Sequence, residues 1–188
     1  LIILRTETAD AEQFALWHNE AQKRMPDVHA NRKIEWALAR MALAQTLALH
    51  GMKLTPSQCL FKGHHELTHL PQWRFSLSHT KDVAAAWLMP AARVRGLGLD
   101  IEFKDRKVPP QVKARLAHKN DTVLPALQLW ALKEAAFKAL PTLAQNDVWL
   151  NRLIIAEKSF ELENSPFVGE WELTEESDLF IARAWLSH

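Results

Sequence analysis

The sequence predicts an α+β fold, with long helices covering small antiparallel sheets, and three observations predict it. Residues 30–50 and 124–140 carry apolar side chains at helical spacing over a length that can cover a sheet. Short apolar or alternating stretches follow each of them, at 75–88 and 96–103 and again between 148 and 186, at the length and period of strands. Each half of the chain therefore holds one long helix and several strands, which predicts an N-terminal half, 1–92, and a C-terminal half, 93–188, together forming one compact unit. With 48% apolar residues among 188, there is enough material to fill such a core.

Taken in order, Ala11, Phe14, Ala15, Trp17 and Ala21 keep roughly helical spacing, so a first helix is expected over 9–24 with Thr8 or Asp10 as its N-cap. The clearest helix of the first half runs from Ala30 to His50, with Ile34, Ala37, Leu38, Met41, Ala42, Thr46 and Leu47 on one face and Gly51 at its end. Pro56, Gly63 and Pro71 break residues 53–72 into turns and short extended pieces. Strands are expected at Phe75–His79 and Val83–Leu88 across the Thr80-Lys81-Asp82 turn, and at Gly96–Phe103. After a polar segment, residues 111–118 read as a short helix, and a strong helix runs from about Leu124 to Leu140. The tail predicts antiparallel strands at Trp149–Glu157, Phe160–Glu163 with Gly169–Leu173, and Leu179–Trp185. The eight tryptophans, Trp149, Trp171 and Trp185 among them, read as core and sheet packing.

Charge and composition exclude several function classes. Twenty-three Lys and Arg against 22 Asp and Glu give no global basic field, so no nucleic-acid partner is expected, and any polyanion must be held at a local site. The single cysteine, Cys59, cannot form an intramolecular disulfide, which fits a reducing compartment; the cytoplasm is the expectation. Leu1–Leu4 is much shorter than the apolar region of a signal peptide, and no stretch approaches the roughly 20 residues of a membrane span, so no membrane partner is expected.

Three short stretches carry chemistry. Phe75-Ser76-Leu77-Ser78-His79 ends a strand on a hydroxyl and an imidazole, both able to donate hydrogen bonds to a phosphate. In Gly98-Leu99-Asp100-Ile101-Glu102, the period of a strand puts both carboxylates on one face and Leu99 and Ile101 on the other. Two carboxylates aimed the same way repel each other. A hard cation such as Mg²⁺, which takes oxygen ligands and bridges substrate phosphates, is a common offset. In Trp130-Ala131-Leu132-Lys133-Glu134-Ala135-Ala136-Phe137-Lys138, helical spacing places Glu134 and Lys138 on one face beside Trp130. Each stretch alone also fits a structural role: a satisfied Ser-His pair, a solvated strand face, an exposed salt bridge.

Together and in this order, the stretches resemble the signature of the 4′-phosphopantetheinyl transferase superfamily: Phe-Ser/Asn-Leu/Ile-Ser-His, then Gly-Val/Leu-Asp-Ile/Leu-Glu, then Trp-x-x-Lys-Glu-Ala-x-x-Lys. With two halves in one chain, the resemblance is to the longer, pseudo-dimeric type that includes the surfactin-synthetase activator. It implies two similar halves related by a pseudo-two-fold, a monomer, coenzyme A bound on the N-terminal side and Mg²⁺ on the C-terminal side. The activity implied is transfer of phosphopantetheine from coenzyme A to a serine of an apo acyl or peptidyl carrier protein, with release of 3′,5′-ADP. By the same resemblance Asp100, Glu102 and Glu134 are the Mg²⁺ ligands, and Glu134 or a metal-polarised water beside it is the general base. Lys138 stabilises or protonates the leaving phosphate, and Ser78, His79, Lys133, Lys138 and Arg32 (or Lys33) bind coenzyme A. The sequence departs from the pattern in carrying Ala131 after the tryptophan and Lys62-Gly63-His64 in place of a Gly-Lys-Pro. It also has a short connection from Phe103 to Gln128, the region that meets the carrier in that family.

Two rival readings accompany this one. His65-Glu66-Leu67-Thr68-His69 matches the His-Glu-x-x-His of zinc peptidases, which needs a helix to put both imidazoles on one face. A transferase-like chain without turnover, binding coenzyme A or a carrier only, is the other.

Overall fold

The structure, a computed structural model, describes residues 1–188 except 63–65 and 147. Ile2–Arg5 forms β1, and Ala11–Arg24 forms α1, whose first turn is capped by Asp10 accepting from the Gln13 amide at 2.8 Å. Helix α2 spans Ala30–Ala48 and is followed by Gly51 at φ +72°, a left-handed conformation that suits glycine. Two short strands, β2 (Phe61–Lys62) and β3 (Glu66–Leu67), form a small pair, and β4 (Trp73–Thr80), β5 (Val83–Pro90) and β6 (Val94–Phe103) follow. Next come α3 (Pro110–Leu116), α4 (Ala126–Ala139) and α5 (Thr142–Gln145). The chain ends with β7 (Leu153–Ile155), β8 (Ser159–Leu162), β9 (Val168–Glu176) and β10 (Leu179–Ser187).

These elements make an α+β architecture with two main antiparallel sheets, ordered β1-β5-β4 and β6-β10-β9-β8-β7. Helix α2 covers the first sheet, packing Ala37, Met41, Ala42 and Leu47 against Phe75, Ala86 and Leu88. Helix α4 covers the second, packing Leu132, Ala135, Ala136 and Ala139 against Ala182, Ala184 and Leu186. Small residues on α4 bring it onto the backbone of β6. A Cβ at Gly98 would stand 1.7 Å from the Ala135 carbonyl oxygen, and one at Gly96 would stand 2.0 Å from that of Ala139. The strand that carries Asp100 and Glu102 is thereby held against the helix that carries Glu134.

The edges β4 and β6 meet, and side chains make the join. Ser76 Oγ accepts from the Leu99 amide at 2.9 Å, and Ser78 Oγ accepts from the Ile101 amide at 3.2 Å. The hydroxyls satisfy amides that would be costly to bury unpaired. Beneath them, Val83, Ala85 and Trp87 of β5 pack against Leu97, Leu99 and Ile101 of β6 and Leu179 and Ile181 of β10.

The structure corrects the sequence reading in three places. β1 adds a strand, pairing Ile2–Arg5 with Ala86–Val83. The expected strand at 149–157 shrinks to β7, preceded by a 3₁₀ turn at Leu150–Arg152. Trp149 is 79% exposed, so it is not a core residue, whereas Trp185 meets Trp87 edge to face at 6.0 Å and Trp171 Nε1 donates to the carbonyls of Ala156 and Ser159. Among the described residues no helix is long and apolar enough to cross a membrane.

Candidate active site at the junction of the two sheets

On β6, Leu99 and Ile101 point into the core while Asp100 and Glu102 share the opposite face, as the period of the strand requires, yet both carboxylates are buried. Burial first, then the nearby Asp100 charge, raises Glu102 above the ordinary carboxylate range; hydrogen bonds from Arg106 and Trp130 oppose the shift. Glu134 on α4 is raised for the same leading reason, with the Asp100 charge next and Lys138 opposing. Asp100 bears on both glutamates and Glu102 on Glu134, so the three carboxylates form one electrostatic cluster.

Lys138, one helical turn after Glu134, is the charge that most opposes the Glu134 shift. Nζ donates to Asp100 Oδ1 at 2.7 Å and to the Leu99 carbonyl at 3.0 Å, and it lies 3.4 Å from Ser78 Oγ. Ser78 in turn donates to the same Asp100 oxygen at 3.0 Å.

A cavity of about 380 Å³ opens beside this cluster, and its wall includes Arg40, Phe61, Phe75, His79, Glu134 and Lys138. Arg32 and His79 line an adjoining cleft with Arg40 and Glu35. Desolvation lowers the His79 pKa despite Glu35, whose Oε2 lies 3.6 Å from His79 Nδ1. Arg40 was not singled out by the sequence and is the main addition. Its guanidinium is packed over the rings of Trp36 and Phe61, at 4.4 Å and 5.0 Å from their centroids, and buried Nε has no hydrogen-bond partner among the described residues. Burial pushes Arg40 down to about 10, and the group that most opposes this is the Cys59 thiol rather than a carboxylate. A buried cation with no carboxylate partner among the described residues suits an anionic ligand. Its signal in the sequence is a charge set inside the apolar run Ala37-Leu38-Ala39-Arg40-Met41.

Two expected coenzyme A contacts do not reach the cavity. Lys133 is fully buried on the other side of α4, where Nζ donates to Asp121 Oδ2 at 2.7 Å and to the Leu116 carbonyl at 2.8 Å. One residue along a helix turns a side chain by about 100°, which separates Lys133 from Glu134. Ser78 is also buried, its hydroxyl committed to Ile101, Asp100 and Lys138. At the start of α2, Lys33 Nζ donates to the Pro26 carbonyl, whereas Arg32 is largely exposed and pairs with Glu35 at 3.1 Å.

The acidic cluster fits a divalent cation on one observation: Asp100 Oδ2 and Glu102 Oε2 are buried with no hydrogen-bond partner among the described residues. Unpaired carboxylate oxygens are costly to bury, and a hard cation is the partner that such oxygens suit. Among the described residues no group of three or more His, Cys, Asp and Glu side chains is placed to hold a metal ion. The fit is to two carboxylate oxygens, of the kind Mg²⁺ takes as its few protein ligands while water and phosphate fill the rest of its shell.

The rival zinc motif is not helical where it is described. Glu66 and Leu67 lie in β3, Glu66 Oε1 pairs with Arg74 at 3.1 Å, and Thr68 and His69 lie in a turn, while His65 lies outside the described residues. Compared with known protein families the chain matches none, and no curated protein matches it.

Proposed function

We propose that the chain is a Mg²⁺-dependent 4′-phosphopantetheinyl transferase, moving the phosphopantetheine arm of coenzyme A onto a serine of an acyl or peptidyl carrier protein. The observation that carries this reading is the meeting of Asp100, Glu102, Glu134 and Lys138 beside a cavity walled by His79 and Arg40, with one oxygen of each β6 carboxylate unpartnered among the described residues. Acidic groups for a cation and basic groups for phosphates thus stand side by side. Mg²⁺ held by Asp100, Glu102 and Glu134 would neutralise charge developing on the transferred phosphoryl group.

The chain's own residues do the rest. Arg40, His79 and Arg32 bind and orient the phosphates of coenzyme A. Glu134 accepts the carrier serine proton directly or through a water as the serine oxygen attacks the β-phosphorus. The bond from that phosphorus to the bridging oxygen breaks, 3′,5′-ADP leaves, and Lys138 stabilises the charge on it. Ser78 holds Asp100 and Lys138 in place instead of touching coenzyme A.

The reading extends to the architecture: residues 1–92 and 93–188 are two similar halves related by a pseudo-two-fold. The first supplies the coenzyme A side and the second the cation side, so a cytoplasmic monomer completes the site.

Intact-mass measurement of an apo carrier protein incubated with coenzyme A, Mg²⁺ and the chain tests this. A gain of about 340 Da that is lost without Mg²⁺ and with Glu134→Ala is expected. No gain over a panel of carriers, with coenzyme A still bound, would leave a binding module and sink the transferase.

A further inference from the structure

Arg106 follows β6 four residues after Glu102, and its guanidinium turns back over the end of the strand. Nη1 donates to Glu102 Oε1, the guanidinium carbon lies 5.1 Å from the centroid of the Trp130 ring, and Trp130 Nε1 donates to the same carboxylate oxygen at 3.0 Å. The arginine side chain is 44% exposed and the carboxylate 5%, so the cation stands at the solvent side of a buried anion. Asp100 has Lys138 as its cation; Glu102 has Arg106.

We propose that Arg106 is an internal counter-ion that competes with the divalent cation for Glu102. The inference rests on the reading of Asp100 and Glu102 as cation ligands. Arg106 takes one Glu102 oxygen and leaves the other unpartnered, so a cation entering there meets a positive charge at close range. Relief comes when the guanidinium leaves the carboxylate, and its exposure to solvent gives it somewhere to go. In the cation-free protein the same contact offsets repulsion among Asp100, Glu102 and Glu134. Arg106 thereby trades cation affinity for a site that stays assembled when empty of charge partners.

Direct binding of Mn²⁺ and Mg²⁺ to the full chain, by calorimetry and by electron paramagnetic resonance of free Mn²⁺, tests the competition without any turnover. Arg106→Gln is expected to bind Mn²⁺ about tenfold more tightly, with the gain shrinking at high salt, and Arg106→Lys is expected to stay near the parent. Lys104→Gln removes the same charge two residues away, where Lys104 pairs with Glu175 at 2.7 Å, and is expected to change affinity by no more than about twofold. Unchanged or weaker binding by Arg106→Gln, or an equal gain in Lys104→Gln, overturns the competition and leaves the cation reading standing. No Mn²⁺ or Mg²⁺ binding by the parent or the variants overturns both.

Discussion

Ser78 Oγ donates to Asp100 Oδ1 at 3.0 Å while accepting from the Ile101 amide on the next residue, so one hydroxyl both fastens β4 to β6 and orients the carboxylate between them. A serine that motif reading assigns to a phosphate is instead the joint on which the acidic cluster is mounted. Lys138 completes the arrangement by donating to the same Asp100 oxygen.

Removing that joint tests its weight. Ser78→Ala leaves the buried Ile101 amide unpaired and is expected to cost about 2 kcal/mol of unfolding free energy, read from urea denaturation. A loss below about 0.5 kcal/mol would mean that another acceptor takes the amide.

The raised carboxylates predict a pH dependence of defined sign. The folded protein holds protons on Glu134 and Glu102 more tightly than the unfolded chain does. Their contribution therefore lowers stability as pH rises from the ordinary carboxylate range through their raised values, and the loss is complete above those values. Without divalent cation, Glu134→Gln is expected to gain stability over the parent at about pH 7 and to converge with it near pH 4. A variant-minus-parent difference that stays constant over this range would show that Glu134 is not perturbed.

Arg40 is expected to separate stability from binding. Arg40→Met replaces a buried cation that has no carboxylate partner among the described residues with an apolar chain of similar length, so the thermal midpoint should hold or rise. Affinity for coenzyme A, measured by calorimetry, is expected to fall by about tenfold or more. Unchanged affinity would place the ligand elsewhere.

Lys133 is expected to matter for folding rather than for a ligand. Lys133→Ala strands buried Asp121, which also accepts from the His118 and Ile155 amides, and should cost about 3 kcal/mol or more in urea denaturation. A milder loss than Ser78→Ala would mean that Asp121 finds another partner or takes up a proton.

What the sequence made legible was whatever a local period controls. Helices α2 and α4 follow from apolar spacing, and the shared face of Asp100 and Glu102 follows from the two-residue period of β6. Non-local partners were invisible. Lys133 sits next to Glu134, but only its partner Asp121, brought in by the 104–125 connection, shows that it belongs to the interior. A structural role for Ser78 could be allowed from the sequence but its partner could not be named, because that amide is 23 residues away. β1 escaped because Ile2–Arg5 has too few residues to show a period and becomes a strand through its pairing with β5. Trp149 has high intrinsic apolarity, yet it lies at the entry to the 3₁₀ turn at Leu150–Arg152, where no sheet neighbour covers it.

The hydroxyl seam between β4 and β6 has a thermodynamic corollary. His79 and Phe75 stand on one side of it, Glu134 and Lys138 on the other, and all four wall the same cavity. A molecule lodged there touches both banks and so binds only when the seam is shut. Occupancy and closure are then linked functions: whatever tightens one must tighten the other by an equal free energy. Slower exchange of the Leu99 and Ile101 amide protons on ligand addition would register that linkage at the two positions where the serines hold it.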